Sequence, residues 1–180
     1  MKYLASLLIL FSFGHVFAQD GYLPLDADKQ IHYSDSGQPN LSKDELFKKT
    51  QDWVGKTFGN YQNAVTFEDP KAGILRITSY VPLIHARFAY ARFDLTITVS
   101  DNKYDAHITT LDGVSPVHSP ERISAKENET ISSQEVLIKA ENNRKKRAEL
   151  EEELKLLKAD NDGINTAMYN LLGSLKQFTN

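Results

Sequence analysis

From residue 63 to residue 114 apolar and polar side chains alternate with a period of two, the spacing of strands with one buried and one solvated face. Val65 and Phe67 belong to one strand and Ile74 to Val81 to the next. Between them Asp69-Pro70-Lys71-Ala72-Gly73 is turn chemistry, with Pro presetting φ and Gly admitting a positive φ. The alternation is cleanest over residues 88–100. Ala91, Phe93, Leu95, Ile97 and Val99 point one way; Tyr90, Arg92, Asp94, Thr96 and Thr98 point the other. Asp101-Asn102 then predicts a two-residue hairpin turn, because both residues tolerate left-handed φ. That turn sets Ser100 opposite Lys103, Val99 opposite Tyr104, Ile97 opposite Ala106 and Leu95 opposite Ile108. On the other face it sets Thr98 opposite Asp105 and Thr96 opposite His107. Apolar meets apolar and polar meets polar, as a sheet with one buried face requires.

Upstream the period is helical. Ser42 at the N-cap and Glu45 at N3 form a capping box, flanked by Leu41 and Leu46 as a hydrophobic staple. Leu46, Thr50, Trp53, Val54 and Phe58 continue at helical spacing until Gly59-Asn60. Lys29 to Tyr33 reads as a short strand ended by Ser34-Asp35-Ser36-Gly37, and residues 19–30 as a loose lead-in. Residues 112–132 carry two prolines and no period, so they read as a long connection. From Ser133, capped by Ser132 or Ser133, the chain is again helical. Leu150, Leu154, Leu157, Asn161, Ile164, Met168, Leu171, Leu175 and Phe178 recur at spacings of three and four. Leu156 and Leu172 widen this stripe beyond a coiled-coil seam. Asp162-Gly163 predicts a break between two helices that either pack on the sheet or extend from it.

Residues 1–18 change the picture of where the protein works. Lys2, an apolar run from Leu4 to Phe13, and Val16-Phe17-Ala18 before Gln19 have the form of a secretory signal peptide cleaved after Ala18. The run is shorter than the roughly 20 residues that span a bilayer. Export to the periplasm or exterior of a gram-negative bacterium is the expectation. The remaining 162 residues hold no cysteine, which removes thiol catalysis and thiolate metal sites. With 20 basic and 24 acidic side chains they are mildly acidic, which argues against nucleic acid and against adhesion to anionic lipid.

Candidate chemistry is sparse. Asp160-Asn161-Asp162-Gly163 fails as a calcium loop, because Lys158 and Tyr169 would fall at its first and twelfth positions. His32, His85, His107 and His118 include no pair at the spacings that put two imidazoles on one metal from a single element. Arg144-Lys145-Lys146-Arg147 is followed by Glu149, Glu151, Glu152 and Glu153, the pattern of a salt-bridged helix face. Phe88, Tyr90 and Phe93 with Arg87 and Arg92 suit cross-strand packing or a small-molecule groove. Asp105 and His107 share one strand face, where a carboxylate beside an imidazole would orient a base. Arg92, Asp94, Asp105 and His107 are thus the candidate ligand-binding residues; no catalytic, metal or cofactor motif is found.

The order strand, capped helix, four strands and C-terminal helix is β-α-β-β-β-β-α. Together with Ser42-Lys43-Asp44-Glu45-Leu46-Phe47, Trp53, Asp69 with Gly73-Ile74, and Phe93-Asp94-Leu95-Thr96-Ile97 before Asp101-Asn102-Lys103-Tyr104, it resembles an exported bacterial family of unknown function with a TATA-binding-protein-like fold. The resemblance runs from about residue 26 to 113. It implies a shape and transfers no activity, cofactor or site residue. Nor does it imply DNA binding, since the sheet lacks a basic, intercalating surface.

The expectation is therefore an α+β chain: an antiparallel sheet domain over residues 19–120, packed on the capped helix, with a long helical tail over 121–180. The expected function is a non-enzymatic envelope module that binds a protein or small ligand through the open sheet face or the tail. The alternatives are a small hydrolase with a pocket around Asp105 and His107, and a homodimer formed through the C-terminal helices.

Overall fold

The computed structural model describes residues 20–84, 87–117 and 119–180; the expected signal peptide, residues 1–18, lies outside the described residues. Its strands are β1 (Tyr33–Gly37), β2 (Val65–Asp69), β3 (Ile74–Pro82), β4 (Tyr90–Ser100), β5 (Lys103–Val114) and β6 (Glu121–Arg122). Its helices are α1 (Lys43–Phe58), α2 (Tyr61–Ala64), α3 (Ala125–Ala140) and α4 (Arg144–Thr179). The sheet is antiparallel in the order β1-β5-β4-β3-β2, and β6 continues the β1 edge against the far end of β5.

The α+β class and the sheet follow the alternation read from the sequence. The β4–β5 register is the one set by the Asp101-Asn102 turn, from Ser100↔Lys103 to Leu95↔Ile108, with Asn102 at φ +57°. Beyond Leu95 the register shifts, and Thr109 becomes an extra residue on β5. This bulge resets the phase, so that Ile108 and Leu111, three residues apart, both reach the core. At the β2–β3 turn Gly73 has φ +72°, and a Cβ there would sit 2.2 Å from the Val99 carbonyl oxygen.

Helix α1 begins at the expected capping box: Glu45 Oε2 accepts from the Ser42 N–H at 3.0 Å. Its face of Leu46, Phe47, Thr50, Trp53 and Val54 is buried. Helix α4 lies on the same side of the sheet, burying Ile164, Met168, Leu171, Leu172 and Leu175. Trp53 Nε1 donates to Ser174 Oγ at 3.1 Å, tying the two helices together. All this covers one face of the sheet.

Four expectations are corrected. The first strand is Tyr33–Gly37, not Lys29–Tyr33, because pairing with β5 extends through Ser34-Asp35-Ser36. The lead-in is pinned rather than loose. Asn128 exchanges two 2.8 Å hydrogen bonds with the Leu23 backbone, and Asn161 and Asn165 donate to the Gly21 and Tyr22 carbonyls at 2.7 and 2.9 Å. Leu23 and Ile31 are buried with it. Helix formation starts at Ala125, where Ser124 and Glu127 make a second capping box, and not at Ser133. Finally, α4 runs unbroken through Asp162-Gly163, and the interruption falls at residues 141–143. A glycine costs a helix about 1 kcal/mol, whereas burying each neighbouring Ile164 or Met168 side chain contributes about 1.5–3 kcal/mol.

The tail both packs and projects. The second half of α4 is core, while its first half pairs with α3 as an outer hairpin of helices. Arg147 meets Glu151 there at 3.2 Å, as the charge pattern predicts, and Lys146 reaches back to Glu141 at 2.9 Å. Among the described residues no helix is long and apolar enough to cross a membrane.

Candidate functional site

Because the helices occupy one side, the opposite sheet face is bare. Strand periodicity places Arg76, Thr78 and Tyr80 of β3, Tyr90, Arg92, Asp94, Thr96 and Thr98 of β4, and Asp105, His107 and Asp112 of β5 on it. All four candidate residues sit here, in two separate groups.

Arg92 and Asp94 belong to a charged network at the β6 end. Arg92 Nη1 donates to Asp112 Oδ2 at 2.9 Å, and Arg122 Nε donates to Asp112 Oδ1 at 2.6 Å. Asp94 Oδ1 accepts from Thr78 Oγ1 at 2.6 Å and lies 3.8 Å from Arg92 Nη2. The hydrogen bond that Arg92 donates to Asp112 pushes the Arg92 pKa further up. These charges neutralise one another across three strands.

Asp105 and His107 stand nearer the Asp101-Asn102 turn, and the structure does not join them into a dyad. Asp105 is held by Lys103 at 2.7 Å. His107 faces Thr96, as the register requires, but its ring meets His32, with Nδ1 3.3 Å from His32 Nε2. The two rings are tilted by 37° with centroids 5.2 Å apart. Sequence spacing could not show this pair, since His32 lies just before β1 and reaches His107 across the β1–β5 ladder.

The aromatic cluster read from the sequence is dispersed. Phe93 is fully buried, Phe88 packs on Gly113 beneath the Arg87 guanidinium, and Tyr90 is exposed on the bare face. A different set forms an aromatic margin instead. Phe67, Tyr80 and Tyr90 are 44%, 54% and 48% exposed, and Arg76 lies 5.2 Å from the Phe67 ring centre. Among the described residues Arg76 makes no ion pair, unlike Arg92, Lys103 and Arg122. Phe67 was visible in sequence as a strand residue; its outward direction follows from the β-bulge between Val65 and Phe67.

Grooves border α4, one of them about 360 Å³ between His32, Asp35, Tyr169 and Lys176. A groove of about 460 Å³ runs between Arg87, Phe88, Arg122, Asp160 and Ile164. A more apolar one of about 470 Å³ lies between Pro82, Ile84, Ala159 and Ala167. Asp162 at its edge has an Oδ1 that is buried with no hydrogen-bond partner among the described residues, and desolvation raises its carboxyl pKa. Asp105 and His107 line none of these grooves. No group of three or more metal-ligating side chains occurs among the described residues.

Residues 33–112 match the family described as a domain of unknown function (DUF4468) with TBP-like fold. Among solved structures, a TBP-like protein from Parabacteroides distasonis is similar over 84% of this chain and 96% of that one, at 18% identity and a TM-score of 0.52. A DUF4468 family protein from Bacteroides ovatus matches over 58% of this chain and 66% of that one, just under two thirds, at 14% identity and a TM-score of 0.48. No curated protein matches. The comparisons bear on fold.

Proposed function

We propose that this chain, whose residues 33–112 carry the DUF4468 domain with its TBP-like fold, is an exported, non-enzymatic binding module that recognises an envelope protein through its bare sheet face. The observation that carries this reading is the exposed Phe67 ring beside Arg76, with Tyr80 and Tyr90 exposed farther along the same face. An exposed aromatic ring beside a cation that has no carboxylate partner among the described residues suits a protein segment that brings its own carboxylate and apolar surface. The three aspartates of the same face disfavour a phosphate backbone as the occupant. Export rests on residues 1–18, and an envelope partner follows from export.

The test compares the protein from its native envelope with a Phe67→Ser, Arg76→Glu variant by native mass spectrometry. Both side chains are exposed, so the variant should fold. Loss of an associated polypeptide in the variant alone supports the reading. Association that survives the double substitution, or its replacement by a small-molecule mass, refutes it. A second reading, self-association, is favoured by one observation: Val136, Leu137 and Leu156 of the outer helices are exposed. Light scattering that reports a strict monomer at high concentration would exclude it.

A further inference from the structure

Among the described residues, His32 and His107 bring two imidazole nitrogens together from different elements. We propose that His32 Nε2 and His107 Nδ1 form a two-ligand site for a divalent transition-metal ion of the Cu²⁺, Ni²⁺, Zn²⁺ class, with water completing its coordination. Imidazole is a preferred donor for these ions. With metal–nitrogen bonds of about 2.0–2.1 Å, a tetrahedral ion holds neighbouring nitrogens about 3.3–3.4 Å apart. The two ring nitrogens stand 3.3 Å apart in the protein, so an ion enters with a small rotation of the rings.

The backbone fixes this spacing. Ser34, two residues after His32, is registered on His107, and the His32 N–H donates to the Pro24 carbonyl at 3.1 Å. Both rings are half-buried, which holds their orientation while leaving a side open to water. With no third protein ligand among the described residues, two protein donors and solvent make up the shell. Without metal, one ring nitrogen donates its proton to the other. Metal binding needs both lone pairs turned inward, so the protons move to His32 Nδ1 and His107 Nε2, and an imidazolium must release one. Affinity therefore falls in acid. The charged groups around the rings are already engaged: Asp105 with Lys103 at 2.7 Å, and Asp35 with Lys176 at 3.0 Å. The site stands whether or not a protein docks on the same face.

The probe is Cu²⁺, then Zn²⁺, titrated calorimetrically into metal-free protein at neutral pH, with NMR line broadening by Cu²⁺ to locate the ion. One ion per chain is expected, tighter for Cu²⁺ than for Zn²⁺, with broadening centred on His32, Ser34 and His107. His32→Gln and His107→Gln should each weaken binding by at least about tenfold. Replacing His85 and His118 together should leave it unchanged. Near-ultraviolet circular dichroism checks that each variant is folded. Absence of saturable binding overturns the proposal. So do equal affinity in His107→Gln, loss of binding in the His85 and His118 variant, or broadening centred elsewhere.

Discussion

Asn165→Ala separates a helix that belongs to the core from one merely laid on it. Asn165, buried on α4, accepts from the Tyr33 hydroxyl at 2.7 Å and donates to the Tyr22 carbonyl at 2.9 Å. It thus joins the C-terminal helix to β1 and to the lead-in segment. Tyr33 is among the largest fully buried side chains, and burial, aided by Tyr169, pushes its phenol far above the usual range. The phenol is neutral at any working pH and needs its acceptor. Truncation to alanine strands that hydroxyl, which costs about 1–3 kcal/mol. The Tyr22 carbonyl is half-buried and regains water, while the lost amide leaves a small void worth about 1 kcal/mol. The sum is about 2–4 kcal/mol. Tyr33→Phe alone strands Asn165 Oδ1 and costs about 1–3 kcal/mol. In the double variant the shared bond is lost once, so its cost should fall short of the sum by about 1–2 kcal/mol. Urea unfolding followed by the fluorescence of Trp53, the sole tryptophan and itself buried between α1 and α4, reads all four proteins. A cost below about 0.5 kcal/mol for Asn165→Ala, or strict additivity, would refute the reasoning.

Other substitutions probe the rest. Removing residues 154–180 takes Ile164, Met168, Leu171, Leu172 and Leu175 out of the core; at about 2–5 kcal/mol each, their loss of about 10–25 kcal/mol matches or exceeds a typical domain's total stability of about 5–15 kcal/mol, so calorimetry should show no cooperative transition. Gly73→Ala should cost about 2 kcal/mol or more in chemical denaturation, because φ +72° and the Val99 carbonyl both oppose a Cβ. Asp162→Asn should stabilise the protein at pH 7 by up to about 1 kcal/mol. Desolvation raises the native Asp162 pKa above its ordinary 3.8, so the fold favours the protonated acid. Its contribution is present below pH 3.8 and is lost as pH rises through the native value, and the gain of the asparagine variant should vanish in acid.

What the sequence revealed was local. The Ser42–Glu45 box and the Asp101-Asn102 turn act within a few residues, so spacing and turn chemistry specify them completely. The strand faces follow from alternation until Thr109, where a bulge with no sequence signature resets the phase. Elements that depend on distant partners were harder. Strand β1 is drawn from polar Ser34-Asp35-Ser36 because β5 offers an edge. Asp162-Gly163 stays helical because α4 is held by buried contacts on both sides of it. Helix α3 has its own capping box at Ser124 and Glu127, a signal present in the sequence but masked by the polar run that follows. Of the candidate residues, all four share the bare face, yet the Asp105–His107 pairing dissolved once Lys103 and His32 were placed beside them. The packing of Arg76 on Phe67 depends on cross-strand geometry and on the bulge in β2.

Photo-cross-linking in the native envelope tests the recognition surface most directly, with the photoreactive residue placed at Tyr80 on the bare face or at Glu151 on the outer helices. A discrete adduct from Tyr80, abolished by Arg76→Glu and absent from Glu151, is the result expected if the bare sheet face binds the partner. Adducts that form from Glu151 alone, or that persist at Tyr80 without Arg76, would contradict it.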